Sequence, residues 1–233
     1  MPLNADISLV NERKTHKRRG YRNEGVENNP DTTDISTMTG HIHTPTPDLA
    51  KSIDFYKRLG FTVASEGTPT LITDGNITIE LNAERTARAG VAIYGSNWGD
   101  VIPKLNTPMH PCKGGHVCAD PNGVWIYMLD GDAPVVPQMD IKGTILGKCM
   151  GLTIETTDMA RSVALWQALG FAITMGTTES GWVVVSAEGC PGVSIMKPLM
   201  CPHLFFNPSL TYFNGKEGNP LSLIHISEPT RPY

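Results

Sequence analysis

Two histidines one residue apart, His41 and His43 in "HIHTPT", are the first residues in this chain whose type and spacing suggest chemistry. In an extended strand alternate side chains share a face, so an i, i+2 pair of imidazoles can chelate a cation. The plainer alternative is a solvated pair at a strand start. Glu80 in "NITIELN" is the second candidate. Ile77, Ile79 and Leu81 fall on one face of that strand and Thr78 and Glu80 on the other. A carboxylate on an inward face needs a partner, and Arg85 or Arg88 in "NAERTARAG" could supply an internal salt bridge. Otherwise Glu80 is free to bind a cation or to move protons as a base. "MHPCKGGHVC" gathers His110, Cys112, His116 and Cys118. Their spacing matches no closed zinc motif, so the stretch reads as a loop entering a strand. In "VWIYML", Trp125, Tyr127 and Leu129 share a face, and such aromatic walls suit a planar or apolar ligand. Ordinary core packing is the alternative.

The elements that must position these residues follow from periodicity. Asp48 stands where a helix N-cap belongs, and Leu49, Ile53, Tyr56 and Leu59 follow as one apolar stripe. Gly60 is a natural left-handed stop. "FTVASE", "TPTLITD" and "NITIELN" then read as strands, the last two joined by a turn at Asp74-Gly75. Pro45 and Pro47 confine "HIHTPT" to an edge or a strand end. The order is strand, helix, strand, strand, strand.

That order recurs. "PDLAKSIDFYKRLGFTV" lies without a gap against "TDMARSVALWQALGFAI". In the copy Asp158 is the cap, Met159, Val163, Trp166 and Leu169 the stripe, and Gly170 the stop. Between the copies lies a weaker unit with "GVAIYGS", a short helix "NWGDVIPKLN" kinked or begun at Pro103, and the strands "GGHVCAD" and "GVWIYML". A fourth unit opens at "SLTYFNG".

A repeated βαβββ unit with "DLAKSIDFYKRLGF" in its first helix, together with "DPNG" at Asp120 to Gly123, resembles the vicinal-oxygen-chelate superfamily: glyoxalase I, extradiol dioxygenases and bleomycin-resistance proteins. The resemblance runs from about Gly40 to Lys197 and, less closely, to Gly218. It implies an α+β fold in which tandem βαβββ units form curved mixed sheets around a cavity, with the second domain incomplete. It also implies metal ligands on the first and last strand of a unit, here His41 and Glu80, holding a divalent ion such as Ni, Zn, Mn or Fe. Glu80 would be the catalytic residue, and Trp125, Tyr127 and Arg88 would meet the substrate. The middle unit departs from the pattern, with Gly90 or Ala89 and Tyr127 at the ligand positions, and so does the third, with Gly151 and about Ile195. Two function classes therefore stay open. One is a metal-assisted isomerase, lyase or dioxygenase-like enzyme acting on vicinal oxygens. The other is a metal-free protein that sequesters a drug or metabolite.

Two segments look foreign to this pattern. Residues 1–37 are charged and Asn-rich and cannot bury enough surface to order. They read as a disordered arm or as mistranslated upstream DNA, with Met38 as the true start. Leu221 to Arg231 matches, residue for residue, one translated frame of a transposase adapter used in sequencing libraries, so residues 221–233 read as an adapter-derived tail and the natural chain as cut near Pro220. A short strand "LSLIHI" is the plain alternative. The expected organisation is therefore a glyoxalase-like domain over 38–134, a linker over 135–146 and a second, truncated one over 147–220. An unpaired third unit would leave an apolar face open to association.

A net charge of −4 argues against a nucleic-acid binder. No apolar run reaches the ~18 residues of a membrane span. Five cysteines with no C-x-x-C fit reduced thiols in the cytoplasm. The expected partner is a small-molecule ligand, with neither nucleic acid nor membrane, and a homodimer is compatible with the sequence.

Overall fold

A computed structural model describes residues 38–200, 207–213 and 223–226. The foreign arm (1–37) and most of the tail lie outside the described residues.

The first unit begins with β1 (Thr39–Pro45), followed by α1 (Leu49–Arg58). The Asp48 carboxylate caps the helix by accepting the Lys51 amide at 3.1 Å. The Thr46 hydroxyl bonds Ser52 and accepts the Asp48 amide, which fixes the entry angle of the chain. Gly60 ends the helix at φ +98°, and a Cβ there would stand 2.8 Å from the Gly143 carbonyl. β2 (Thr62–Ser65), β3 (Thr70–Thr73) and β4 (Thr78–Asn82) complete the unit. The Asp74 carboxylate closes the β3–β4 turn by accepting the amides of Asn76 and Ile77.

The second unit is β5 (Gly90–Gly95), the short α2 (Trp98–Val101) running into a 3-10 turn at Ile102–Lys104, β6 (His110–Cys112), β7 (Gly115–Ala119) and β8 (Trp125–Asp130). Pro103 sits inside the 3-10 turn, where its missing amide is least costly. The stretch expected to be a loop before β7 instead forms β6, hairpinned onto β7.

The third unit repeats the first in detail. It has β9 (Lys148–Glu155), α3 (Met159–Ala168), β10 (Ala172–Thr177), β11 (Trp182–Ser186) and β12 (Val193–Met196). Asp158 accepts the Arg161 amide, and Thr156 pairs with Ser162 as Thr46 does with Ser52. Gly170 is the left-handed stop at φ +94°. β13 (Ser209–Phe213) then opens a fourth unit, and β14 (Leu223–Ile226) pairs with it.

The strands make two mixed sheets. The first runs β2-β3-β4-β1-β5-β8-β7-β6 and the second β10-β11-β12-β9-β13-β14. Within a unit the last strand returns parallel to the first: β4 to β1, β8 to β5, β12 to β9. Between units the first strands run antiparallel, β1 to β5 and β9 to β13. β1 is therefore central, and Pro45 is tolerated because it is the last residue of the strand. β14 occupies the place beside β13 that β8 occupies beside β5. It runs antiparallel, however, where that pair is parallel.

One apolar core joins Ile42, Ile79, Val91, Ile93, Ile126 and Met128 of the first sheet to Ile154, Val183, Val193 and Ile195 of the second and to Trp166 of α3. A buried polar link crosses it, with the Tyr212 hydroxyl donating to Asp74 at 2.9 Å. With the apolar faces committed to this core, the alternate residues of the first sheet are left to line its other face. No helix among the described residues is long and apolar enough to cross a membrane.

Candidate functional site

The strand alternation that buries Ile79 and Leu81 turns Glu80 to the other face, where it is 1% exposed. His43 is its direct neighbour in the parallel β1–β4 ladder, and His41 lies one pleat away on the same face. The His41 Nδ1 stands 2.9 Å from Glu80 Oε1. From the other side of β1, Tyr94 on β5 donates its hydroxyl to that same oxygen at 2.6 Å. Two donors on one oxygen compensate a carboxylate taken almost wholly out of water. Burial, together with the charge of Glu80, raises the pKa of the Tyr94 phenol far above its usual value, so it stays a donor. The expected salt bridge from Arg85 or Arg88 to Glu80 is not formed. The Arg88 guanidinium donates to the Ala87 and Arg85 carbonyls and lies 5.7 Å over the Trp125 ring.

His43 has a different task. Its Nδ1 lies 2.8 Å from the Arg88 carbonyl, which can only accept, so Nδ1 carries the proton. The bare Nε2 then accepts from the Asn82 amide at 3.1 Å. Burial lowers the His43 pKa below 6.5, so the ring is neutral. Asn82 in turn accepts the Glu84 amide at 2.8 Å, and the Tyr127 hydroxyl accepts the Arg88 amide at 3.0 Å. The loop between β4 and β5 is thereby tied over the sheet at both ends.

Under that loop lies a cavity of about 660 Å³. His43, Glu80, Asn82, Tyr94, Trp125 and Tyr127 line it, with Leu129 and Lys113 at its margin. The Trp125 and Tyr127 rings stand 6.0 Å apart, and Tyr127 packs 4.3 Å from the His43 ring. The structure thus brings Glu80, Trp125 and Tyr127 to one cavity. His41 touches the far side of the Glu80 carboxylate and lines a neighbouring space instead. Arg88 reaches the site through its backbone and its stack on Trp125.

Could His41 and Glu80 hold an ion? Two adjacent ligands on one octahedral ion, each ~2.1 Å from it, stand ~3 Å apart, and His41 and Glu80 are 2.9 Å apart. The rest of a coordination shell does not follow. His43 has spent both ring nitrogens, and Tyr94 arrives as a donor. No group of three His, Cys, Asp or Glu side chains among the described residues converges on one point. Among the described residues, two protein ligands of about six are too few to hold a hard divalent cation by themselves.

The related units add nothing, for a reason in the backbone. A Cβ at Gly90 would lie 1.7 Å from the Trp125 carbonyl oxygen, and one at Gly151 would lie 2.1 Å from that of Gly192. Neither position, each equivalent to His41, has room for any side chain. The register also corrects the counterpart of Glu80 in the third unit. β9 and β12 pair Thr153 with Ser194, as β1 and β4 pair His43 with Glu80, so the counterpart is Ser194. Ile195, the expected residue, is fully buried in the core.

The zinc reading of "MHPCKGGHVC" also ends here. His110 is exposed on β6, while His116 and Cys118 alternate with Val117, which lines the cavity. Cys118 is buried, and desolvation pushes its thiol up to about 12, a poor state for a thiolate ligand. The four described cysteines are free thiols.

Tyr94 and Asn82 escaped the sequence reading. Tyr94 carried a signal: in "GVAIYGS" it alternates with Val91 and Ile93, so it had to face the side opposite the core. Its meeting with Glu80 needed the β1–β5 pairing, which no local pattern encodes.

No family model matches the sequence, and no curated protein does. Among solved structures the chain is similar to an extradiol ring-cleaving dioxygenase from B.fuscum, at 17% identity and a TM-score of 0.46, covering 70% of this chain and 54% of that one. It is also similar to the Mn(II)-bound glyoxalase from Novosphingobium aromaticivorans, at 12% identity and a TM-score of 0.45, with 70% and 62% covered. A third is a xylose isomerase-like TIM barrel/4-hydroxyphenylpyruvate dioxygenase fusion protein, at 14% identity and 0.47, with 70% and 32% covered. The chain spans about a third to three-fifths of the length of these three. With βαβββ units paired through their first strands into mixed sheets, the described chain has an α+β, glyoxalase-like fold.

Proposed function

We propose that this chain binds a small planar molecule in the cavity of its first sheet, and does so without a resident metal ion. The observation that carries this reading is the environment of Glu80. A buried carboxylate at this position needs hydrogen-bond partners, and His41 and Tyr94 supply them on one oxygen. The cavity volume falls within the ~300–1,000 Å³ usual for small-ligand sites, and its walls are Trp125 and Tyr127. Among the described residues Glu80, Glu84 and Asp130 outnumber Lys113 on the lining and the Arg88 guanidinium stacked on the Trp125 wall, which favours a neutral or cationic ligand. If the bound molecule also reacts, Glu80 is the base, with Tyr94 and His41 holding its charge in place.

A metal-assisted isomerase, lyase or dioxygenase is the second reading. The 2.9 Å spacing of His41 and Glu80 favours it. One experiment separates the two. Purified protein is soaked in Ni²⁺, Zn²⁺, Mn²⁺ or Fe²⁺, desalted, and its metal measured by mass spectrometry. Well under one ion per chain, unchanged by His41→Ala, is expected. A full equivalent that His41→Ala abolishes would overturn the proposal.

A further inference from the structure

The His41–Glu80–Tyr94 contacts lie across the middle of the open face, and they divide it. On one side is the aromatic cavity described above. On the other is a second space of about 580 Å³, lined by Thr39, His41, Thr78, Tyr94, Ser96 and Asp132 and walled by residues 133–136. Tyr94 is the one residue that lines both. The wall is chain that has just left β8. The Gly131 amide donates to the Gly95 carbonyl at 3.0 Å and turns this segment across the end of β5.

We infer that this second space is a separate ligand compartment and that it takes a small molecule presenting an ammonium group. Among the described residues its lining holds Asp132 and no lysine or arginine. Among the described residues His41 is the sole cationisable lining group, and it is turned toward Glu80. An anion entering here would meet the Asp132 carboxylate and, among the described lining residues, no lysine or arginine. An ammonium brings three N–H donors and no acceptor, which matches a lining of hydroxyls and a carboxylate. Ala133, Pro134, Val135 and Val136 offer a short apolar wall against which a few methylenes can lie. The compartment contains neither Trp125 nor Tyr127, so its occupant need not be planar and does not depend on a ligand in the aromatic cavity.

The test is a titration of the full ¹⁵N-labelled chain with n-butylammonium chloride, followed by amide correlation spectra, with sodium butyrate as the opposite-charge control. Saturable shifts at Thr78, Ser96 and Ala133 are expected, with the Trp125 indole N–H unmoved and no response to butyrate. Asp132→Asn, an exposed and isosteric change, should weaken the amine about tenfold, a loss of one charged contact. Lys113→Ala, in the other cavity, should leave amine binding unchanged. The inference is overturned if butyrate shifts the same amides, if the amine shifts centre on Glu84 and Trp125, if no shift saturates, or if Asp132→Asn binds the amine as well as the parent. Planar-ligand binding is read separately, from shifts of the Trp125 indole N–H with a planar probe, so either proposal can fail alone.

Discussion

Tyr94→Phe removes one hydroxyl and nothing else, which makes it the sharpest probe of how Glu80 is held. The lost bond is short, 2.6 Å, and its acceptor belongs to a residue that is 1% exposed. A hydrogen bond to a charged group contributes about 1.5–3 kcal/mol. Tyr94 is itself only half-buried, so the lower part of that range applies, about 2 kcal/mol. That is about a thirtyfold change in the unfolding equilibrium, or a fall in Tm of about 4–8 °C for a domain of this size. Urea denaturation followed by tryptophan fluorescence reads it directly. Glu80→Gln supplies the second leg of a cycle. With a neutral amide as acceptor the same hydroxyl is worth about 1 kcal/mol, so the cost of Tyr94→Phe should halve in that background. The reasoning is refuted if Tyr94→Phe changes stability by less than about 0.5 kcal/mol, or costs the same in both backgrounds.

Three further outcomes are expected. His43 is held neutral below its ordinary 6.5 by burial, whereas in the unfolded chain it takes a proton near 6.5, so between those values the unfolded state binds more protons. Stability should therefore be full above pH 6.5 and fall as pH drops below it, by up to ~1.4 kcal/mol per unit, and His43→Gln should flatten that slope in urea titrations. Gly90→Ala must push β8 away from a Cβ that would otherwise lie 1.7 Å from a carbonyl oxygen, and should cost about 3 kcal/mol; a change under about 1 kcal/mol in chemical denaturation would contradict the close approach. β10 is an edge strand with every residue exposed, carries no charge, and shows Ile173 and Met175 at 41% and 56% exposure. Light scattering of the full chain should show association through it, reduced by Met175→Lys on the pattern of natural edge protection.

The helices were legible because their signals are local. Asp48 and Asp158 cap by bonding amides three residues on, and Gly60 and Gly170 stop the chain in a conformation other residues avoid. Strand alternation likewise placed Glu80, Trp125 and Tyr127 on the cavity-facing side. What local pattern could not carry was which strand lies beside which. β1 and β5 are joined by pairing across about fifty residues, and that pairing alone brings Tyr94 to Glu80. The same gap explains Ile195. A one-residue error in register exchanges the two faces of a strand, and only the β9–β12 ladder shows that Ser194 is the residue opposite Thr153. The expected arginine partner failed for a simpler reason. Arg88 satisfies its own loop carbonyls and stacks on Trp125 before it can reach inward.

The close approaches at Gly90 and Gly151 make the asymmetry between units hard to reverse. A protein engineer, or a lineage under selection, who wished to rebuild a ligating side chain at the positions equivalent to His41 could not do so by exchanging one amino acid. The carbonyls of Trp125 and Gly192 fill the volume where any new side chain would begin. Two neighbouring strands would have to separate first, breaking ladder bonds for no immediate gain. Positions 127 and 194 are under no such constraint, since each already carries a side chain on a partly exposed strand face. New ligand chemistry on this scaffold has an open route through last strands and a closed one through first strands.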